Sequence, residues 1–163
     1  MTPDDLIRGV RESALGMLAR REHSVFELTQ KLSAKGHARR DIETVLERLR
    51  DAGLQSDGRF AESFVRSRLG RGLGLARIKA ELKQRGVAPD LIQGALAACE
   101  ADWLAQCADV ARRRFGSAPP KDAKERARRA RFLQYRGFSP AQISRVLRGG
   151  VDDEVDATMD DDV

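Results

Sequence analysis

The chain has 163 residues, 34% of them charged, and a formal net charge of +5. No apolar run is long enough to span a bilayer, and the first eight residues carry Asp4 and Asp5 where a secretory signal would have an apolar core. Two cysteines and two histidines make a poor disulfide framework or zinc site. The expectation is a cytoplasmic protein without cofactor or metal.

The charge is uneven. The last thirteen residues hold seven acids and no lysine or arginine, so residues 1–150 carry +12. A body that basic suits a polyanion or an acidic protein surface. The tail lacks aromatics and periodicity and is expected to be disordered.

One spacing organises the rest. Gly36, Gly86 and Gly137 each follow a leucine (Leu32, Leu82, Leu133) by four residues, and an isoleucine (Ile42, Ile92, Ile143) and a leucine (Leu46, Leu96, Leu147) follow each glycine at six and ten. A period of 50 and then 51 residues is the signature of a stacked-repeat protein.

In chain order, each repeat reads as three helices. The first is marked by Ile7, Val10, Ala14 and Met17, then by Phe60, Ala61, Phe64 and Val65, then by Trp103, Leu104, Cys107, Ala108, Ala111 and Phe115. The middle helix carries Val25, Leu28 and Leu32, and fifty residues later Leu75, Ile78 and Leu82. Its glycine is expected just past the helix end, preceded by a cation (Lys35, Arg85, Arg136). Ser24 with Glu27, and Ser139 with Gln142, predict capping boxes, and Pro89 and Pro140 suit first turns. The third helix carries Ile42, Val45, Leu46 and Leu49, matched by Ile92, Ala95, Leu96 and Cys99, so Cys99 is expected in the core.

The predicted fold is all-α: three tandem three-helix repeats of about 50 residues in an elongated array. The expected boundaries are 1–53, 54–100 and 101–150, with the acidic tail at 151–163. Residues 70–74 and 117–120 are expected to be loops. In the third repeat, Arg126 and Arg129 stand where Val25 and Leu28 stand in the first. The expectation is a middle helix rotated to bury Ala123, Ala127, Ala130 and Leu133.

Catalytic patterns are missing: there is no strand-linked phosphate loop and no metal-spaced cluster. The basic residues are more informative. In the third repeat, Lys121, Lys124, Arg128 and Arg131 form a helical stripe beside Phe132 and Tyr135, and the run Arg112-Arg113-Arg114 closes the preceding helix, with Arg112 and Arg113 as its candidates. The second repeat supplies Arg66, Arg68, Arg71, Arg77, Lys79 and Lys83, and the first supplies Arg21, Lys31 and Lys35. A basic stripe with aromatics can follow a phosphate backbone and stack on bases, though solvated helix faces have the same composition.

The ordered set Ser24-Val25-Phe26-Glu27-Leu28, Arg59-Phe60-Ala61, Arg77-Ile78, Arg85-Gly86-Val87 and Arg136-Gly137-Phe138 resembles the RecX family of bacterial recombination regulators, over roughly residues 10 to 148. The acidic tail falls outside that pattern. The resemblance implies a non-enzymatic protein that binds the RecA recombinase filament on single-stranded DNA; double-stranded DNA is a further candidate partner, and the chain is expected to be a monomer. It also implies inhibition of filament growth and of the filament's strand-exchange, ATPase and co-protease activities. Two alternatives stay open: a stand-alone nucleic-acid-binding helical module, and an enzyme whose site assembles only in three dimensions.

Overall fold

The computed structural model of the chain describes residues 1–148; the acidic tail lies outside them. Among the described residues there are nine α-helices and no strand: α1 (Pro3–Arg20), α2 (Val25–Ala34), α3 (Arg39–Asp51), α4 (Asp57–Gly70), α5 (Leu75–Gln84), α6 (Pro89–Ala98), α7 (Trp103–Phe115), α8 (Ala123–Tyr135) and α9 (Pro140–Leu147). None is long and apolar enough to cross a membrane.

The recurrent Leu-to-Gly spacing is a Schellman motif. The amide after each glycine donates back to the leucine carbonyl: His37 to Leu32 at 3.3 Å, Val87 to Leu82 and Phe138 to Leu133 at 3.2 Å. The glycine amide donates to the next carbonyl along, of Ser33, Lys83 or Gln134. This closure needs a left-handed residue, and Gly36, Gly86 and Gly137 supply it with φ of +94°, +78° and +104°. Both expected capping boxes form, at Ser24–Glu27 and Ser139–Gln142, and a third forms at Thr2–Asp5. Pro89 and Pro140 open their helices.

The chain divides into two compact units: Met1–Arg66 with Glu81–Cys99, and Ser67–Ala80 with the described residues from Glu100 on. In the first, α1, α2 and α3 pack pairwise around Val10, Ala14, Leu28, Leu32, Ile42, Val45, Leu46 and Leu49. In the second, α7, α8 and α9 do so around Cys107, Val110, Ala111, Leu133, Phe138, Ile143 and Leu147. The 3.6-residue apolar period thus lands on the buried face of both.

Four expectations need correction. Cys99 is only half-buried, because α6 ends at Ala98 and leaves it at the C-cap; the fully buried cysteine is Cys107, whose thiol burial pushes up to about 12. Leu75 is exposed at the first turn of α5. Gly70 belongs to α4 rather than to the loop after it. And α8 buries only part of the expected face: Leu133 is buried and Ala130 packs half-buried against the core, but Ala123 and Ala127 are exposed, and Arg129, in the repeat position of Leu28 and Ile78, is buried instead. The register is kept and the charge is accommodated. Arg129 pairs with Glu125 at 2.5 Å, donates to the Ala118 carbonyl at 2.8 Å and lies 5.1 Å from the Phe115 ring centroid. Its hydrogen bond is the main cause holding the Glu125 carboxyl below its ordinary value. Truncating Arg129 to alanine is expected to cost about 2 kcal/mol in lost packing. Arg129→Leu combined with Glu125→Gln, which removes both charges of the pair, should hold or raise stability, whereas removal of the arginine alone leaves Glu125 unpaired. Urea denaturation of the two variants checks this.

Each unit contains one joint of the same design. In the first, the N-cap hydroxyl of Ser24 donates to the Arg85 carbonyl at 2.8 Å, and a β-carbon on Gly86 would meet Phe26 Cβ at 2.5 Å. In the second, the Gly74 amide donates to the Arg136 carbonyl at 2.7 Å and the Ala76 amide to the Gly137 carbonyl at 3.2 Å. A β-carbon on Gly74 would stand 2.5 Å from the Gly137 carbonyl oxygen. The start of one middle helix therefore seats on the glycine-closed end of the next. That is why Gly74, which reads in sequence as part of a permissive turn, has to be glycine.

Candidate functional site

The second unit carries the densest positive charge. The last turn of α7 presents Arg112, Arg113 and Arg114, and Asp109 one turn earlier pairs with Arg112 at 2.5 Å and Arg113 at 3.1 Å. Arg114 stacks over the Phe132 ring of α8 at 5.1 Å, and Arg136, at the C-cap of α8, does so at 5.5 Å. Phe115 meets the same ring edge-on at 5.5 Å. Arg136 also donates to the Arg71 carbonyl at 2.6 Å, drawing the α4–α5 turn alongside. Phe132, Arg71, Arg113, Arg114 and Arg136 line a cleft of about 480 Å³ in which Asp109 is the single acid. Four guanidinium groups facing one carboxylate leave a net positive cleft suited to an anion.

A second basic surface follows the exposed face of α8. Lys124, Arg128, Arg131 and Tyr135 fall at intervals of four, three and four and are all exposed. Tyr135 is 71% exposed, with the Arg77 guanidinium 4.7 Å from its ring centroid and donating to its carbonyl at 3.1 Å. This places an exposed aromatic beside three cations, side-chain types able to stack on a base and to pair with phosphates. Lys79 is exposed on α5, Arg68 is half-buried and reaches Ser67, and Lys121 precedes the α8 N-cap Asp122, so Lys121 is not on the helical stripe.

The remaining candidates lie in the first unit, where three are held in local structure. Arg21 binds Glu27 through two nitrogens at 3.1 and 3.2 Å. Lys31 bonds the buried His23 at 3.0 Å, and Lys35 reaches Ser13 at 3.0 Å. Arg66 and Lys83 are exposed. Arg114 and Arg136 are not among the residues that the sequence singles out as candidates. The triple arginine is visible in the sequence, but its meeting with the residue before Gly137 depends on how α7, α8 and the α4–α5 turn pack. Among the described residues no group of three or more His, Cys, Asp or Glu is placed to hold a metal.

The first unit has its own ionic centre at Glu27. Burial alone would push this carboxyl up. Hydrogen bonds from Arg21 and the Ser24 amide, the charge of Arg21 and a further bond from Arg85 outweigh that and hold it below the ordinary value. His23 is shifted down too, first by burial, against the bond to the Arg21 carbonyl and with reinforcement from the Arg21 and Lys31 charges. Both groups favour folding in the form they hold at neutral pH, ionised Glu27 and neutral His23. Their contribution is complete above the unfolded values and lost as pH falls, from about 6.5 for the histidine and about 4.5 for the glutamate. Thermal melts between neutral pH and pH 4 should therefore show stability falling in two stages, and His23→Gln should remove the upper one.

The chain matches three family models in tandem, described as the first, second and third three-helix domains of RecX, over residues 11–49, 56–96 and 100–147. It is 49% identical over 145 residues to a protein of Halorhodospira halophila named regulatory protein RecX, covering 89% of this chain and 90% of that one. A protein of the same name from Pseudomonas fluorescens strain SBW25 is also 49% identical over 145 residues, covering 89% and 94%. The crystal structure of RecX from Lactobacillus salivarius shares the fold, with a TM-score of 0.73 at 22% identity, covering 90% of this chain and 97% of that one. By three successive domain matches and by near-half identity along most of its length, this chain belongs to the RecX family.

Proposed function

We propose that the chain is a cytoplasmic regulator of the RecA recombinase: it binds the RecA–single-stranded-DNA filament and limits filament growth, and with it strand exchange, ATPase and co-protease activity. It acts by occupancy, not catalysis. Relatives of near-half identity are named regulatory proteins. The observation that carries the reading is the basic second unit, where the Arg71–Arg113–Arg114–Arg136 cleft and the α8 stripe offer anion-binding surface beside exposed Tyr135.

That aromatic also favours a second reading, direct binding of single-stranded nucleic acid. The two separate by salt dependence. Binding to bare single-stranded DNA should weaken steeply between about 50 and 200 mM salt, by a slope of about 0.7 per neutralised phosphate. Binding to RecA-coated DNA should persist, because protein–protein interactions remain. Equal loss of both would favour the stand-alone nucleic-acid module.

A further inference from the structure

A second cleft of the second unit is apolar and has an occupant within reach. Ala108 and Ala111 of α7, Pro119 and Pro120 of the following loop, and Val146 and Leu147 of α9 line a space of about 240 Å³. The two prolines have no amide to offer a ligand, so these walls suit apolar side chains. Arg112 and Arg129 complete the lining, and the buried Arg129 keeps an Nε–H without an acceptor.

Residues 149–163 follow directly from the lip of this cleft, because α9 ends at Leu147, which lines it. They begin Gly149-Gly150, a pair that can reverse the chain at little steric cost, and continue Val151-Asp152-Asp153-Glu154-Val155. At about 3.5 Å per residue, Val151 can reach about 10 Å from Arg148 and Val155 about 25 Å.

Charge favours the same placement. Arg126 donates to the Leu147 carbonyl at 3.3 Å and Arg148 caps α9, so two more guanidinium groups stand at the helix end beside the cleft. Arg112 and Arg129 pair with Asp109 and Glu125, whereas Arg126 and Arg148 bond backbone carbonyls among the described residues. Residues 151–163 hold seven acids and no lysine or arginine.

We propose that this cleft is the docking site of the chain's own acidic segment, with Val151 and Val155 against its apolar walls and the acids between them facing the arginines, and that the docked segment competes with polyanions for the second unit. Arg112 lines this cleft, while Arg113 and Arg114, next to it in the last turn of α7, line the basic one. Carboxylates held at Arg112 lower the positive potential across the basic cleft. The competition rests on the anion-binding reading of that cleft; the docking does not. A tethered segment acts at an effective concentration on the order of 1 mM, so an intrinsic Kd of the same order docks it about half the time.

The test uses the full-length chain, isotope-labelled for amide NMR, and two variants that leave residues 1–148 unaltered. Val151→Ser with Val155→Ser keeps every acid; Asp152→Asn, Asp153→Asn and Glu154→Gln together keep both valines. Each variant should move the amides of Ala108, Ala111, Gly116 and Ala118, which are remote in sequence from the substitutions, and in the same direction. The serine variant, whose net charge is unchanged, should bind a labelled oligothymidylate about twofold more tightly at low salt, as release of a half-docked competitor requires. Unmoved cleft amides in the serine variant would overturn the docking. So would cleft amides of the unaltered chain that shift on about tenfold dilution, since the segment would then come from a second copy. Moved amides with unchanged oligothymidylate affinity would overturn the competition. Failure of the unaltered chain and both variants to bind oligothymidylate would overturn it together with the anion-binding reading, the amide shifts still deciding the docking.

Discussion

Aspartate in place of Ile92 should unfold the first unit. Ile92 is 4% exposed on α6, on one face with Ala95 and Leu96. Removing the isoleucine side chain forfeits about 3 kcal/mol of apolar burial and packing. Burying a carboxylate without a partner adds several kcal/mol more, or forces the group to stay protonated. A small domain holds only about 5–15 kcal/mol in total. Loss of helical circular dichroism at neutral pH is the expected result. The informative control is Leu75→Asp. That leucine also sits on the sequence period, but it is exposed at the first turn of α5. It should cost little, so period alone does not identify the core.

Reversing charge on the basic second unit should weaken inhibition of the RecA filament on the order of tenfold while leaving the fold intact. Arg71→Glu with Lys79→Glu, and Arg128→Glu with Arg131→Glu, change exposed side chains. At about 7 Å in water each charge–charge interaction is about 0.6 kcal/mol, and reversal doubles the change. Two reversals thus approach 2.4 kcal/mol before screening, which at physiological salt acts over about 8 Å. Every phosphate that is no longer neutralised should also flatten the salt dependence on single-stranded DNA by about 0.7. Thermal melts should be unchanged. Full inhibition by both double variants would mean that these surfaces are merely solvated.

What is legible in the sequence is what local chemistry decides. The Leu32-to-Gly36 spacing can be read because a Schellman closure is completed within six residues, and the Ser24–Glu27 box within four. Ile42, Val45, Leu46 and Leu49 can be read because one helix face sets them. Arg129 cannot. An apolar period predicts an aliphatic there, and only the combination of Glu125, the Ala118 carbonyl and the Phe115 ring makes an arginine tolerable. Gly74 is opaque for the same reason, since the Gly137 carbonyl that excludes a side chain comes from the next repeat.

The candidate site divides along the same line. The α8 stripe of Lys124, Arg128, Arg131 and Tyr135 is readable from helical spacing. The cleft is not, because Arg71, Arg114 and Arg136 come from three separate segments. Nor does composition distinguish working cations from structural ones. Arg21 reads as surface charge, yet it is one of two arginines holding the buried Glu27.

The most direct measurement is the ATPase rate of RecA on single-stranded DNA, with and without this chain. Addition after filament assembly and addition before it should both lower the rate. The effect should be larger when the chain is present before assembly, because growth is then blocked. The Arg71→Glu, Lys79→Glu variant should need about tenfold more protein for the same inhibition. An unchanged rate at a concentration of chain that saturates the DNA would contradict regulation of the RecA filament and leave a nucleic-acid-binding protein.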